Sequence, residues 1–260
     1  MRDLGKHGAH ALWLALPFLI VAGAWETIAY LKVFPPKLFP PLEAVAATFL
    51  DLVQSGVLWS HMKGTLLRLA AGFALAAAAG VLVGILMGRY SHVEDLLVPI
   101  VTAGYPLPGL AYAPLFVLWF GLGDMPAILL VAIASSFAVI INTWKGVKGV
   151  KPLWIRAAKC MGAPESKLFR LVILPAALPH ILIGLRLGLA QAWRILVAVE
   201  MLMSVDFGLG WMIFGAQQFL NTDVMLSSIA VIGLIGITLE KVVFQRIERL
   251  TVVRWGMMTS

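Results

Sequence analysis

Charge is what this sequence has least of. Only 13% of its 260 residues are Asp, Glu, Lys or Arg, while 61% are hydrophobic and the mean hydropathy is +0.94. A soluble domain of this size would need far more polar surface. With a single cysteine, Cys160, the chain can form no internal disulfide and no cysteine-built metal site. There is no Gly-x-x-x-x-Gly-Lys-Ser/Thr stretch, so it has no phosphate-cradling loop of that kind for ATP. The parts of a hydrolase are missing too. His61, His92 and His180 are scattered near the ends of apolar runs, and neither His-Glu-x-x-His nor Gly-x-Ser-x-Gly occurs. An intramembrane enzyme would need a nucleophile with a base in reach, or a metal cluster. No ten-residue alternation of polar and apolar residues is found, which disfavours a membrane barrel.

What the sequence does have is long apolar runs. About 20 such residues cross roughly 30 Å of hydrocarbon as a helix. Six runs qualify, near 11–31, 65–88, 96–120, 125–144, 178–204 and 224–244. The expected fold is an all-α membrane protein with six transmembrane helices. Arg2 and Lys6 before an apolar run resemble a secretory signal, but the run continues past Ala22-Gly23-Ala24 to Leu31. An uncleaved span is therefore expected.

The net charge of +7 reflects where the cations sit. With the N-terminus inside, the inner segments hold Arg2, Lys6, Arg89, Lys145, Lys148, Lys151, Arg156, Lys159, Lys167, Arg170, Lys241, Arg246, Arg249 and Arg254. The outer segments hold only Lys32, Lys37, Lys63 and Arg68. That imbalance follows the positive-inside rule and predicts that both termini are cytoplasmic. It also removes any need to invoke nucleic acid as a partner.

Local patterns add detail. Prolines 35, 36, 40 and 41 keep the first linker out of helix. Leu42, Val45, Phe49, Leu52 and Val53 then recur at helical spacing, as in an amphipathic helix on the outer membrane surface or packed outside it. Gly72, Ala76, Gly80, Gly84 and Gly88 recur every four residues in the second span, a small-residue stripe for close helix packing within the chain or against another copy. The third span contains Pro99, Pro106, Pro108 and Pro114, with Gly109 among them. Either it is a kinked helix or its broken backbone lines a path, since such backbone at membrane depth needs protein or water beside it. In the fifth span Arg186, Gln191, Arg194 and Glu200 are costly in hydrocarbon and mark an interior path or a snorkelling end. Pro106, Pro108, Gly109, Gln191, Arg194 and Glu200 are the expected substrate-path residues, with Arg194 the choice for anion contact and Glu200 an outer gate or structural partner.

The segment "RAAKCMGAPESKLFRLVILP", residues 156–175, is the exception to the apolar pattern. Together with the dozen residues before it, it carries seven lysines and arginines. Pro152 is expected to open one short helix, Gly162 to end it, Pro164 to start a second and Pro175 to close the loop. This pattern resembles the inner loop of bacterial ATP-driven importer permeases, which reads Glu-Ala-Ala, three residues, Gly, nine residues, Ile-x-Leu-Pro. Here the match is Ala157-Ala158, Gly162 and Val172-Ile173-Leu174-Pro175 at the same spacing. "TLLRLAAGF", "YPLPGLAYAPLFVLWFGLGD", "VEMLMSVDFGLGWMI" and "IGLIGITLEKVVFQRIE" are similar to the branch handling nitrate, taurine, aliphatic sulfonates or bicarbonate. Two positions depart from the pattern. Arg156 stands where the motif has glutamate, and Gly109 stands where a lysine is expected.

The resemblance implies a type I importer transmembrane domain spanning 1–260 in the bacterial inner membrane, with a cytoplasmic coupling loop at 145–177. Arg156, Ala157, Ala158, Gly162, Ala163, Pro164, Leu174 and Pro175 would then meet a cytoplasmic ATPase. ATP and Mg would be bound by that partner, with no cofactor in this chain. One coupling loop and no internal repeat imply a homodimer with two ATPases, fed by a periplasmic binding protein. The alternatives are a permease for a pyrimidine precursor or another small organic solute, and an ion-coupled carrier. Carriers of that kind often show paired repeats with broken helices in both halves.

Overall fold

A computed structural model describes residues 2–203 and 205–244. Arg246, Arg249, Arg254 and the C-terminus, all expected on the inner side, lie outside the described residues. The chain divides into two compact units, one within Met1–Ser60 and Met212–Val231, the other within His61–Trp211 and Ile232–Ser260.

The first unit is built on α1 (Arg2–Tyr30) and α2 (Leu42–Gln54). Trp25 of α1 stacks on Phe39 with ring centroids 3.9 Å apart, and its indole N–H donates to the Pro40 carbonyl at 2.9 Å. The Glu26 carboxylate accepts the Leu42 N–H at 3.0 Å. It thereby satisfies a free donor at the N-terminus of α2, where negative charge is favourable. The far side of α2 is tied down as well. Thr48 Oγ1 donates to Asp223 Oδ2 at 2.6 Å, and Ser227 Oγ donates to the Val45 carbonyl at 3.3 Å. Of the two arrangements open for this helix, these bonds favour a packed one.

The second unit contains most of α3 (Val57–Arg89), then α4 (Ser91–Gly104), a 3₁₀ turn (Gly109–Tyr112), α5 (Ala113–Phe120), α6 (Asp124–Lys148), α7 (Pro152–Cys160), α8 (Glu165–Leu168) and α9 (Leu174–Leu202). Later in the chain come α10 (Leu209–Gln218) and α11 (Thr222–Thr238), each divided between the two units. Among the described residues, four helical stretches are long and apolar enough to cross a membrane: Val57–Arg89, Asp124–Lys148, Glu165–Leu202 and Thr222–Val242.

α6 is the centre of this unit. The glycine stripe of α3 rests on it within the same chain. A methyl group added at Gly80 would stand 2.6 Å from Val139 Cβ, one at Gly84 2.6 Å from Thr143 Cβ, and one at Gly88 2.6 Å from Val147 Cβ. On another side, Gly184 and Gly188 of α9 approach Asn142 and Val139 just as closely. Missing side chains on two helices thus let three backbones draw together, which is how apolar helices gain contact where hydrocarbon offers no hydrophobic drive.

The region 96–120 is broken, as one of the two readings open for it has it: α4 and the segment Gly109–Phe120 meet at 94°. Prolines 106 and 108 remove two helical donors within three residues. Neither piece, at about 1.5 Å per residue, is long enough to cross the hydrocarbon alone. The fifth span begins earlier than 178, because helix runs on from Glu165 to Leu202. Pro175 therefore does not close a loop before the span. A π-turn at Phe169–Ile173 widens the helix immediately before it, and such turns accommodate a missing donor without a break.

Candidate functional site

The broken segment borders a cavity of about 550 Å³. Tyr105, Pro106, Pro108 and Gly109 form one wall, and Gln191 and Arg194 of α9 the other. Close packing fixes the segment there. A methyl group at Gly104 would stand 2.6 Å from the Phe137 ring, and one at Gly109 2.6 Å from Ala134 Cβ and 2.7 Å from Ile195 Cδ1. A side chain at 109 would thus meet α6 and α9, so the glycine in place of a lysine is a packing requirement here. Among the described residues, Arg194 is left as the only charged one lining the cavity.

Gln191 and Arg194 are three residues apart and share a helix face. The Arg194 side chain is exposed, and its Nε donates to the Ala190 carbonyl of its own helix at 3.1 Å. Among the described residues no carboxylate pairs with it. Arg186 is different: its Nε donates to Glu240 Oε1 at 2.8 Å. A smaller cavity of about 220 Å³, walled by Arg186, Trp193, Arg194 and Glu240, lies on the other side of Arg194.

Five of the six expected path residues therefore line one cavity, and Glu200 does not. It is fully buried, and both its carboxylate oxygens are taken. Oε1 accepts from Arg68 Nη1 at 2.8 Å, and Oε2 accepts from Thr65 Oγ1 at 2.9 Å and from the Gly210 N–H at 3.0 Å. Arg68 also donates through Nε to Asp124 Oδ1 at 2.7 Å and through Nη1 to the Phe207 carbonyl. Thr65 Oγ1 in turn accepts the Leu209 N–H at 2.9 Å, and the Gly208 N–H donates to His61 Nδ1 at 3.0 Å. Side chains at one end of α3 and α9 thus hold the loop 206–210 by its backbone. Of the two roles weighed for Glu200, outer gate and structural partner, these bonds favour the second.

The loop's glycines follow from that grip. A methyl group at Gly208 would stand 2.6 Å from the Glu200 carboxyl carbon, and one at Gly210 closer still to the Val197 carbonyl oxygen and 2.9 Å from Glu200 Cβ. Sequence reasoning counted Arg68 only as an outer cation and missed this cluster. The available signal was two opposite charges in separate apolar runs, with Thr65 one helical turn from Arg68.

The charged insert has the break expected of it. Helix α7 ends in a residue of left-handed conformation, Gly162, at φ +77°. The Gly162 N–H donates to the Lys159 carbonyl at 2.9 Å, and the Ala163 N–H to the Ala158 carbonyl at 3.1 Å. This is the pair of bonds that closes a Schellman cap. Pro164 then stands at the N-cap of α8. Ala158 is buried beneath α7, whereas Arg156 and Ala157 face outward beside Leu153, Trp154 and Met161. Leu174 and Pro175 lie half-buried in the first turn of α9.

Such a cavity, next to helices too apolar for water and an exposed capped loop, marks a solute-transporting membrane subunit. Known proteins agree. Residues 80–250 match the family described as "Binding-protein-dependent transport system inner membrane component". The chain is 40% identical over 226 residues to the taurine transport system permease protein TauC of Escherichia coli (strain K12), covering 85% of this chain and 82% of that protein. It is 38% identical over 223 residues to the putative aliphatic sulfonates transport permease protein SsuC of Bacillus subtilis (strain 168), covering 86% and 80%. Among solved structures, an amino acid ABC transporter superposes with a TM-score of 0.60 at 21% identity, over 77% of this chain and 97% of that one. The chain belongs to the binding-protein-dependent inner membrane components. It is a membrane-spanning permease subunit of an ATP-driven importer, and not an enzyme.

Proposed function

We propose that this permease imports a small organic anion of the sulfonate type, and that the cavity between the broken segment and α9 is part of its path. The observation that carries this reading is the cavity lining, which among the described residues has one arginine without a carboxylate partner, one amide and no acid. A guanidinium presents directed donors that match the oxygens of a sulfonate. The taurine and aliphatic sulfonate permeases named above support the same substrate class. Arg194 supplies the charge, Gln191 a second polar contact, and Pro106, Pro108 and Gly109 the fixed wall.

The whole chain acts as one transmembrane domain with both termini cytoplasmic. Two copies form the pore, since one chain carries a single coupling loop. α7 and the Gly162 turn dock on a separate ATPase that binds ATP and Mg, and a periplasmic protein delivers the solute. The outward-facing Leu153, Trp154 and Met161, at 72%, 47% and 81% exposure, support a docking role. Arg156 in place of the motif glutamate would ask for an acidic contact on the ATPase.

The test starts with calorimetric screening of the cognate binding protein against sulfonates, nitrate, bicarbonate and pyrimidine precursors. Uptake of the identified ligand is then measured with Arg194→Gln, which keeps hydrogen bonding and removes charge. Uptake should fall while the complex still assembles. Unchanged uptake would refute the charge contact, and loss of the complex would make Arg194 structural.

A further inference from the structure

A third cavity lies at the opposite end of α3 from the Glu200 cluster. It measures about 300 Å³ and is enclosed where α3 and α6 end and α7, α8 and the π-turn begin. Three cations from three helices line it: Arg89, the last residue of α3; Lys148, the last of α6; and Lys159 of α7. One acid, Glu165, lines it too, and Lys159 Nζ holds that carboxylate at 3.2 Å. Lys148 pairs with Glu94, which lies outside the lining. Arg89 has no carboxylate partner among the described residues. Its guanidinium carbon stands 4.9 Å from the Phe169 ring centroid and 5.5 Å from that of Tyr90.

Basic residues at helix C-termini have an ordinary explanation, because they offset the negative end of the helix dipole. That accounts for Arg89, Lys148 and Lys159 one at a time, each in the last turn of its own helix. It does not account for the convergence of all three on one cavity, nor for the apolar lining that Ile155, Ile173 and Val147 give it. The level is also distinctive. Two apolar spans stop here, with Tyr90 and Phe169 beside Arg89 and Trp144 beside Lys148, as aromatic rings gather at a membrane boundary.

We propose that this cavity binds the phosphate of an anionic phospholipid headgroup, with Arg89 as its principal contact and Lys148 and Lys159 completing the charge. A planar guanidinium presents paired donors to phosphate oxygens. A free phosphate ion would use the same donors but has no use for the apolar lining, whereas a lipid's glycerol and upper acyl carbons do. Basic pockets between helix ends are where anionic headgroups are held. Because Lys159 belongs to the coupling loop, the bound lipid would brace α7 against the ends of α3 and α6. The site is independent of the transported substrate. The orientation proposed above puts it in the inner leaflet, but binding itself does not depend on that orientation.

The test uses the complete transporter, permease with its ATPase, purified in detergent and observed by native mass spectrometry. It is titrated with phosphatidylglycerol or phosphatidylcholine, with and without millimolar inorganic phosphate. Phosphatidylglycerol should be retained in preference to phosphatidylcholine. Arg89→Gln should weaken that retention about fivefold, the loss expected for one basic residue at an anionic surface. Should Arg89→Gln fail to assemble, Lys159→Gln and the charge-keeping Arg89→Lys take its place, with partial losses expected from both. If inorganic phosphate displaces the lipid, the anion site stands and its natural occupant is the free ion. Equal retention of both lipids, or equal phosphatidylglycerol retention by wild type and all variants, would overturn the proposal.

Discussion

Arg68 and Glu200, 132 residues apart in the chain, meet at 2.8 Å with 5% and 0% of their side chains exposed. Removing one partner of such a buried pair leaves the other charge without compensation, at a cost of about 3–5 kcal/mol. Glu200→Ala and Arg68→Ala should therefore each lower the melting temperature of the solubilised permease markedly. Glu200→Gln should also fail to restore it, because its amide N–H₂ would face Thr65 and Gly210, or Arg68, all of them donors. The melting curves of the three variants, compared with Arg194→Gln, check this. A wild-type curve for Glu200→Ala would show that the cluster contributes nothing to stability.

The glycines under this clamp make a sharper comparison. Gly208→Ala puts a methyl group against Glu200 and Gly210→Ala puts one against the Val197 carbonyl and Glu200, and overpacking of this kind costs about 1–3 kcal/mol. Gly215 lies in α10 with nothing within 4 Å of its added methyl. Gly215→Ala should be neutral or slightly stabilising. Thermal stability of the three single variants separates close approach from a general dislike of alanine.

At Gly162 the cause is conformation and not space. No atom lies within 4 Å of an added Cβ, but φ is +77°. Any L side chain there loses about 1–2 kcal/mol relative to glycine. Gly162→Asn should keep most transport, since asparagine tolerates this region. Gly162→Leu should leave the permease in the membrane and abolish uptake, as a bulky group then stands on the face proposed to meet the ATPase. Uptake and binding-protein-stimulated ATP hydrolysis are the readouts. Normal uptake by Gly162→Leu would remove the docking role.

Cysteine substitution can map the broken segment. Cys160 is exposed and would react first, so it is replaced by serine beforehand. Single cysteines at 105, 106, 107, 108 and 110 should then label with water-soluble thiol reagents, and those at 109 and 113 should not, since only these two are buried. Uniform protection from 104 to 114 would favour a plain kink sealed by protein.

Features governed by near neighbours were legible in the sequence. The cap at Gly162 and the restart at Pro164 depend on residues within one helical turn, so their spacing predicts the observed bonds. Apolar length likewise located the helices. What the sequence hid depends on distant partners or on how a break is absorbed. Nothing near Arg68 names Glu200 as its partner. Prolines 106 and 108 announce a break but not its 94° bend, which is fixed by where Gly104 and Gly109 meet Phe137, Ala134 and Ile195. Pro175 suggests an end to the loop, and the π-turn before it carries the helix through.

The packing around α6 sets how this unit can move. Val139, Thr143 and Val147 sit in sockets left by Gly80, Gly84 and Gly88, and their branched side chains cannot swivel out of the way. Teeth and sockets repeat every four residues, so a sliding helix would find its next register only after about 6 Å. Every shorter displacement sets tooth against ridge. Gly184 and Gly188 lock the third helix in the same manner. During a transport cycle α3, α6 and α9 would travel as a single plank, leaving the bending to segments outside it.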